Sequence, residues 1–255
     1  MRLALLSDLH ANRQALSACL AHARTQGVDR HAFLGDLVGY GADPVWVVEQ
    51  VMALHAQGAL VIQGNHDAMA VMPPQGDVSM GSSTADWTHR QLRADHRRFL
   101  ADLPLTASLE HLLLVHASAD KPETWRYVDS ERAATVCLEA ARGRGTVAGV
   151  VQNHILVGHV HHQTLYYRGQ GGQLMRFTPV PGVPIPVPAH RRWIATVGSV
   201  GQPRDGDTRA GYALLDLDRH QLTFWRVRYD HVAAAHAVRA AGLDEALARR
   251  LESGR

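Results

Sequence analysis

The chain has few cysteines, a single lysine and no long apolar run, and each shortage argues against a class of protein. Of its 255 residues only two are cysteine, Cys19 and Cys137, without C-x-x-C spacing, which argues against a disulfide framework or a cysteine-based zinc or redox site. Both have apolar neighbours, so we expect buried free thiols in a reducing compartment. No stretch of about 18 apolar residues suits a membrane span, and the residues before Asp8 are too few for a signal peptide. We therefore expect a cytoplasmic protein with no membrane partner.

The charges are nearly balanced and well mixed along the chain. Basic residues number 26 and acidic residues 24, for a formal net charge of +2, and Lys121 is the only lysine. Because a dedicated nucleic-acid binder usually concentrates positive charge on one face, we expect no such surface here. Hydrophobic residues make up 46% of the chain, enough for a sizeable core. Length and composition together predict a single domain over residues 1–255.

The first quarter of the chain alternates between apolar runs and helical spacing. The predicted elements are strands at residues 3–6, 31–34 and 59–62 and helices at 12–23 and 44–54. Asp43 and Pro44 suit the N-cap and the first position of the second helix. Strands and helices that alternate with short connections predict parallel strands with right-handed crossovers. Ligands of such sheets bind beyond the carboxyl ends of the strands.

The pattern changes after His161. Before it we predict helices at residues 84–100 and 130–142, a hairpin at 105–109 and 112–115, and a strand at 155–157. After it we predict strands at residues 164–168, 174–178, 193–197, 211–217 and 221–228, and a C-terminal helical tail near 231–255. The later strands have glycine-rich turns, which predicts a second, more antiparallel sheet packed on the first. Residues 179–188 contain five prolines, which excludes a central strand and predicts an extended arm that forms a lid or a dimer contact.

Polar blocks follow the predicted strands. The blocks are Asp8-Leu9-His10, Gly35-Asp36, Gly64-Asn65-His66-Asp67, His116, and Gly158-His159-Val160-His161. In the first and last blocks a spacing of two directs both side chains to the same side. Each block alone is a weak signal, but five blocks in this order after five predicted strands indicate one convergent site. The alternative, unrelated polar strand ends, requires the same arrangement to arise by accident.

These blocks resemble the pattern of the calcineurin-like metallophosphoesterases, which runs D-x-H, G-D, G-N-H-[D/E], H and G-H-x-H. The resemblance covers roughly residues 1–217 and has no substitution in any block. Residues 35–41 and 198–206 are similar to a bacterial branch related to diadenosine tetraphosphatases. The resemblance implies an α/β fold, a two-sheet β-sandwich flanked by helices in four layers, α/β/β/α.

The resemblance also implies two divalent metal ions. The first ion would be held by Asp8, His10, Asp36 and His161, and the second by Asp36, Asn65, His116 and His159. Asp36 would bridge the two ions, and a hydroxide shared between them would attack the phosphorus. Mixed imidazole and carboxylate ligands suit manganese or iron, and also zinc, better than magnesium or calcium.

His66 occupies the position of a catalytic histidine that is not a metal ligand in the family. It would protonate the departing oxygen or stabilise charge on it. Asp67 would either orient His66 by accepting a hydrogen bond or serve only as a residue at the start of a helix. The residues alone leave both roles of Asp67 open.

The resemblance leaves the substrate open. Asn12, Tyr40 and Arg204 are candidate substrate contacts, with a helix cap, a packing aromatic and an exposed arginine as the respective alternatives. The phosphoprotein phosphatases of the family have an arginine at the position of Tyr40, which disfavours that class. We expect a hydrolase of phosphodiesters or nucleotides acting on a small phosphorylated substrate. A protein phosphatase, a non-catalytic scaffold and a homo-oligomeric state remain open alternatives.

Overall fold

Two mixed six-stranded sheets form the centre of the protein. The computed structural model describes residues 1–76, 80–143, 146–147, 150–169 and 171–255. The strands of the first sheet are β1 (Arg2–Leu6), β2 (Arg30–Phe33), β3 (Leu60–Val61), β11 (Ile185–Pro186), β13 (Ala210–Asp216) and β14 (Gln221–Val227). The strands of the second sheet are β4 (Thr106–Leu109), β5 (Leu112–Val115), β8 (His154–Val157), β9 (Gln163–Arg168), β10 (Leu174–Phe177) and β12 (Trp193–Val197). The first sheet has the order β11-β14-β13-β1-β2-β3, and the second has the order β10-β9-β12-β8-β5-β4. A separate hairpin pairs β6 (Thr146–Val147) with β7 (Val150–Val151).

Each sheet contains three adjacent parallel strands whose carboxyl ends lie at the same side of the sheet. In the first sheet β1, β2 and β3 are parallel, and in the second β5, β8 and β12 are parallel. Leu5, Leu156 and Phe224 are among the fully buried side chains that fill the space between the sheets. The apolar runs of β1, β5 and β8 are buried along most or all of their length, as expected for strands covered on both faces.

Helices cover the outer face of each sheet. They are α1 (Arg13–Thr25), α2 (Pro44–Ala56), α3 (Asn65–Val71), α4 (Met80–Gln91), α5 (Ala94–Asp102), α6 (Glu131–Gly143), α7 (His231–Ala240) and α8 (Glu245–Ser253), with a 3-10 turn at Pro122–Thr124. Leu16 of α1 and Val48 of α2 pack on the first sheet, whereas Leu138 of α6 packs on the second. The predicted four-layer α/β/β/α sandwich is therefore confirmed. None of the described helices combines the length and the apolar character that crossing a bilayer needs.

Three details differ from the expectations. The change of pattern at His161 does not separate the sheets, because β13 and β14 pair into the first sheet while β4, β5 and β8 belong to the second. The helix predicted over residues 84–100 is two helices, since the chain breaks between α4 and α5. Asp43 precedes α2, but its side chain makes no capping hydrogen bond.

The proline-rich segment 179–188 lies along the edge of the first sheet. Ile185 pairs with Leu222, and Pro186 with Gln221, at the amino end of β14. At a sheet edge, the absence of an N–H group in proline breaks no hydrogen bond of the ladder, as expected. Ile185 and Pro186 therefore lie at the end of the first sheet opposite the carboxyl ends of β1 and β2.

Candidate metal centre and adjoining cavity

The loops after five parallel strands meet at one end of the sandwich. Asp8, Asp36 and Asn65 follow β1, β2 and β3, and His116 and His159 follow β5 and β8. A hydrogen bond of 2.9 Å, donated by the His159 amide to the Asp8 carboxylate, joins the two sheets there. All of these side chains are buried except Asn65, which is half-buried. The convergence predicted from the sequence pattern is present.

The backbone is strained where these loops converge. Five predicted ligands have positive φ angles, namely Asp8 (53°), His10 (45°), Asp36 (52°), His159 (63°) and His161 (65°). Residues with a Cβ atom rarely adopt this conformation, and each instance costs on the order of 1–3 kcal/mol. The strain is concentrated among residues that share one site, as is common where a fold positions functional groups.

Asp8, His10 and His161 form the first group of ligand atoms. His161 Nε2 lies 3.3 Å from Asp8 Oδ1 and 3.2 Å from His10 Nε2. Ligand atoms that share one ion at about 2.1 Å lie roughly 3.0–3.4 Å apart. Asp8 Oδ1 is buried and has no hydrogen-bond partner, whereas Oδ2 accepts from the His159 amide. A cation between these atoms would satisfy the unpaired oxygen, so the group fits a metal ion.

Asp36, His116 and His159 form the second group, and Asn65 adjoins it. Their candidate ligand atoms lie within 4.8 Å of one another. His116 Nε2 is 3.4 Å from Asp36 Oδ2 and 3.2 Å from Asn65 Oδ1. Asn65 is the first residue of α3, and this position places its side-chain amide oxygen beside the imidazoles. The second group therefore also has the composition of a metal site.

One oxygen of Asp36 faces both groups. Asp36 Oδ2 lies 3.8 Å from His10 Nε2 and 3.4 Å from His116 Nε2. The other oxygen, Oδ1, accepts a hydrogen bond from the His66 amide at 2.8 Å, which fixes the orientation of the carboxylate. Asp36 is thus placed to contribute to both sites.

Backbone carbonyl groups set the tautomers of three imidazoles. The Nδ1 atoms of His10, His116 and His161 lie 3.2, 2.7 and 2.6 Å from the carbonyl oxygens of Val38, Leu34 and Gln202. A carbonyl only accepts hydrogen bonds, so each Nδ1 carries the proton and each Nε2 keeps a free lone pair towards the centre. This second hydrogen bond is the usual support of a metal-bound histidine.

The carboxylates and imidazoles of the centre shift one another's pKa. Burial alone raises the pKa of Asp36, but His116 and His66 outweigh it and hold the pKa well below its usual range. Burial lowers the pKa of His116, but Asp36 outweighs it and raises the pKa to about 9. Burial and nearby His116 lower the pKa of His159 to about 4. Without metal at pH 7, the carboxylates are therefore ionised and His159 is neutral, as metal ligands must be, whereas His116 is protonated and would lose its Nε2 proton when an ion binds.

His66 is buried beside the first group and has an unpartnered nitrogen. Its ring centroid is 5.0 Å from that of His10, and its Nδ1 has no hydrogen-bond partner. His66, His10 and Asp36 also offer ligand atoms within 4.8 Å of one another. The geometry therefore places His66 at the centre, within reach of both His10 and Asp36.

Asp67 stabilises the loops and does not orient His66. Its Oδ1 accepts from the amides of Leu37 (2.8 Å) and Val38 (3.3 Å), and its Oδ2 accepts from the Gly64 amide (2.9 Å). The carboxyl group thus joins the start of α3 to the loop after Asp36. Of the two roles left open by the sequence, the structure supports the one at the helix start.

The Gly158 backbone approaches the Asp8 loop too closely for any larger residue. A Cβ atom at Gly158 would lie 1.9 Å from Ser7 Oγ and 3.0 Å from Asp8 Oδ2. We expect Gly158→Ala to displace the Asp8 carboxylate, to lower the free energy of unfolding by about 1–3 kcal/mol and to reduce metal content. Thermal melting and elemental analysis measure both effects. Gly171→Ala is the matched control, because nothing lies within 4 Å of its Cβ position; equal behaviour of the two variants would contradict the steric argument.

A cavity of about 360 Å³ opens beside the centre and is lined by its residues. Tyr40, Tyr127, Arg204 and Arg250 line the cavity together with Asp36, Asn65, His66, His159 and His161. The Tyr127 ring stacks on His159 with centroids 4.1 Å apart and is 51% exposed. The Arg204 guanidinium lies 5.6 Å from the centroid of Tyr40, whose ring also contacts His66. The cavity therefore joins the candidate metal centre to two aromatic rings and two arginines.

Two of the three candidate substrate contacts line this cavity, and the third does not. Tyr40 and Arg204 have side chains at the cavity wall. Asn12 instead caps α1, because its Oδ1 accepts from the Ala15 amide at 3.0 Å and its Nδ2 donates to the Gly201 carbonyl at 2.8 Å. The structure thus gives Asn12 the capping role that the sequence left as its alternative.

Sequence reasoning missed Tyr127 and Arg250. Tyr127 lies in a loop after the 3-10 turn and had no motif to indicate its position. Arg250 had a weak signal, because it follows Leu247 by three positions and precedes Leu251, both of which are buried in α8. That helical spacing places Arg250 next to the buried face.

The glycine-rich segment 198–206 forms hydrogen bonds with residues of the candidate metal centre. Ser199 Oγ donates to the Asp8 carbonyl at 2.9 Å, and the Gly201 amide donates to the same oxygen at 2.9 Å. The Gln202 carbonyl receives the Nδ1 proton of His161. The segment therefore orients two predicted ligands and also carries Arg204 to the cavity.

Comparison with known proteins places these features in a family context. The profile of the calcineurin-like phosphoesterase superfamily domain matches residues 1–220. A metallophosphoesterase from Sphaerobacter thermophilus has a crystal structure with 34% sequence identity and a TM-score of 0.86, with all of both chains covered. A hypothetical protein of Pyrococcus horikoshii has the same fold at 20% identity and a TM-score of 0.77, covering 100% of this chain and 98% of its own. An uncharacterized protein of Methanocaldococcus jannaschii is 29% identical, covering 99% of this chain and 98% of its own length.

Proposed function

The chain belongs to the calcineurin-like phosphoesterase superfamily, and from that premise we propose that it is a dimetal hydrolase of phosphodiesters or nucleotide phosphoanhydrides. The family implies phosphoester hydrolysis, and the chain has a cluster of aspartate and histidine able to hold metal. The observation that carries the proposal is Asp36 Oδ2, which faces both ligand groups at 3.8 and 3.4 Å. A non-catalytic scaffold would have no need for a complete and strained set of ligands.

We assign Asp8, His10, Asp36 and His161 to one ion and Asp36, Asn65, His116 and His159 to the other. Imidazole nitrogens and carboxylate oxygens in this proportion favour manganese or iron, with zinc also compatible. When bound, such a pair of ions supplies Lewis acidity and a nucleophile derived from water near neutral pH. The buried free thiol of Cys19 favours a reducing compartment, in keeping with a cytoplasmic location.

His66 contributes acid catalysis in this proposal. Its amide fixes Asp36 and its ring lines the cavity, while its buried Nδ1 has no hydrogen-bond partner among the described residues. The Tyr40 ring, with its centroid 4.3 Å from that of His66, holds the imidazole in place. A proton donated from this imidazole to the departing oxygen would complete the cleavage.

The cavity walls favour a nucleotide or diester over a phosphopeptide. The exposed face of Tyr127 offers a surface on which a base would stack. Tyr40 replaces the arginine of the phosphoprotein phosphatases. Arg204, however, supplies a guanidinium beside Tyr40, so residue 40 alone does not decide the substrate class.

Substrate preference is the experiment that tests the proposal. With manganese present, we expect kcat/KM for a diester or a dinucleoside polyphosphate to exceed that for a phosphoserine or phosphothreonine peptide, because the cavity offers aromatic faces near the metals. Parallel assays at one metal concentration make the comparison. A phosphopeptide preferred by about tenfold, equivalent to about 1.4 kcal/mol in transition-state binding, would overturn the substrate class. Loss of that preference in Arg204→Ala would identify Arg204 as the compensating phosphate contact.

A further inference from the structure

Two arginines at the cavity wall have no carboxylate partner within the part of the chain that the structure describes. Neither Arg204 nor Arg250 forms an ion pair with a described carboxylate, and Arg204 Nε is buried without a hydrogen-bond partner. The neighbouring acids are already paired with other arginines: Asp205 with Arg226, Asp207 with Arg209, and both Glu245 and Glu252 with Arg239. A guanidinium that lines a cavity without an anionic partner is suited to bind an anionic ligand.

Arg250 reaches the cavity from outside the matched family region. It lies on α8, which together with α7 follows the last matched residue, 220. Leu247 and Leu251 of α8 pack in a buried cluster that Tyr40 adjoins. The Gly254 carbonyl accepts from the Gly206 amide at 2.8 Å, so the end of α8 is tied to the loop that carries Arg204. Arg250 of α8 thus lines the same cavity as Arg204, and the hydrogen bond between Gly206 and Gly254 joins the two segments that carry these arginines.

The arginines lie beside the metal ligands and not among them. Tyr40 separates the two regions, because its ring contacts His10 and His66 of the centre and also lies under the Arg204 guanidinium. An anion bound by the arginines would therefore be a different group from the phosphate that reacts at the metal centre. The Arg204 guanidinium lies 5.6 Å from the Tyr40 centroid, which lies 4.7 Å from that of His10, so a single aromatic ring separates this arginine from the ligands of the first group.

We propose that Arg250 of the C-terminal helix pair, together with Arg204, binds the phosphate next to the reacting one and so selects substrates with a phosphoanhydride. This inference rests on the proposed hydrolase function. Arg250 acts in it as a specificity-determining residue, and α7 and α8 are a functional part of the site. Nucleoside diphosphates and longer anhydrides would be preferred to simple diesters that have a single phosphate.

The test compares ligands with one and two phosphates on manganese-loaded protein. We expect calorimetry to show that inorganic pyrophosphate binds wild type at least about tenfold more tightly than inorganic phosphate, and that Arg250→Ala removes most of this difference. Arg250→Lys would retain part of it, because a lysine keeps the charge but not the bidentate geometry. Arg249→Ala is the matched control, since Arg249 is an exposed neighbour paired with Glu245.

In kinetics, Arg250→Ala would raise KM for ADP about tenfold and leave kcat/KM for bis-p-nitrophenyl phosphate within about twofold.

The outcomes separate this inference from the proposed function. Equal affinity of wild type for the two inorganic anions would overturn the inference, as would equal losses for ADP and the diester in Arg250→Ala. An Arg250→Ala protein that unfolds, judged by its melting temperature, is replaced by Arg250→Lys and Arg204→Ala, and both must then reduce the pyrophosphate preference. Absence of hydrolysis by wild type, with the pyrophosphate preference intact, would refute the enzymatic function while leaving an anion site.

Discussion

Asp36→Asn is expected to empty both metal sites and to lower kcat by more than about 10³-fold. Asp36 Oδ2 faces His10 and His116, one from each ligand group. A neutral amide has one oxygen of weaker basicity and no negative charge, so neither ion keeps a full ligand set. Two ions provide several kcal/mol of charge stabilisation in the transition state, which corresponds to at least this loss in rate. Elemental analysis of protein purified without chelator is expected to find up to two transition-metal ions in wild type and fewer than one in the variant.

Asp95→Asn serves as the control for this change. Asp95 is an exposed carboxylate on α5 that pairs with the exposed Arg93 and lies 3.9 Å from the buried His96. We expect its substitution to leave both metal content and turnover at wild-type values. Full metal retention in Asp36→Asn would refute the bridging role, and loss in both variants would indicate a general loss of folding instead.

His66→Ala is expected to keep both metals and to lower turnover by about 10²–10⁴-fold. The expected loss is the usual contribution of a positioned general acid. Metal content should stay near that of wild type because His66 is not among the assigned ligands, so each ion keeps its full ligand set and Asp36 still lies between them. Elemental analysis and kcat are measured on the same preparation, so that a change in one is not mistaken for the other.

Substitutions at two other histidines serve as the positive and the negative control for this result. His116→Ala removes a ligand of the second group and should lose metal as well as activity. His22→Ala removes a half-buried imidazole of α1 that hydrogen-bonds Tyr212 far from the centre, and should change neither. If His66→Ala loses metal as His116→Ala does, then His66 is a ligand, which its proximity to His10 and Asp36 permits. Unchanged turnover would assign leaving-group protonation to another group.

Local patterns predicted the parallel half of each sheet, but not the pairing of distant strands. The apolar runs at residues 3–6 and 31–34 became β1 and β2, because both are buried on two faces and joined by a single helix. Strands β13 and β14 were identified as strands but placed in the wrong sheet. Strand β13 pairs with β1, about two hundred residues earlier, and Leu3 pairs with Leu215 through backbone groups that no side-chain pattern reports. Edge pairing and sheet order are long-range facts that hydrophobic periodicity does not encode.

The candidate metal centre was predictable because its geometry is local to strand ends. Asp8 and His10, or His159 and His161, are brought together by a spacing of two after a strand, so pattern alone placed them. The surroundings were less predictable. The roles of Asp67 and Asn12 depended on which backbone amides lie nearby in space. Arg250 reaches the cavity only through the packing of α8, so its contribution needed the tertiary structure.

Anomalous diffraction from crystals of the manganese-loaded wild-type protein tests the central claim most directly, because it locates each ion relative to Asp36. The account predicts two peaks about 3.5–4 Å apart, one among Asp8, His10 and His161 and the other among Asn65, His116 and His159, both within bonding distance of Asp36. A single peak at saturating manganese, or two peaks of which only one contacts Asp36, would contradict it.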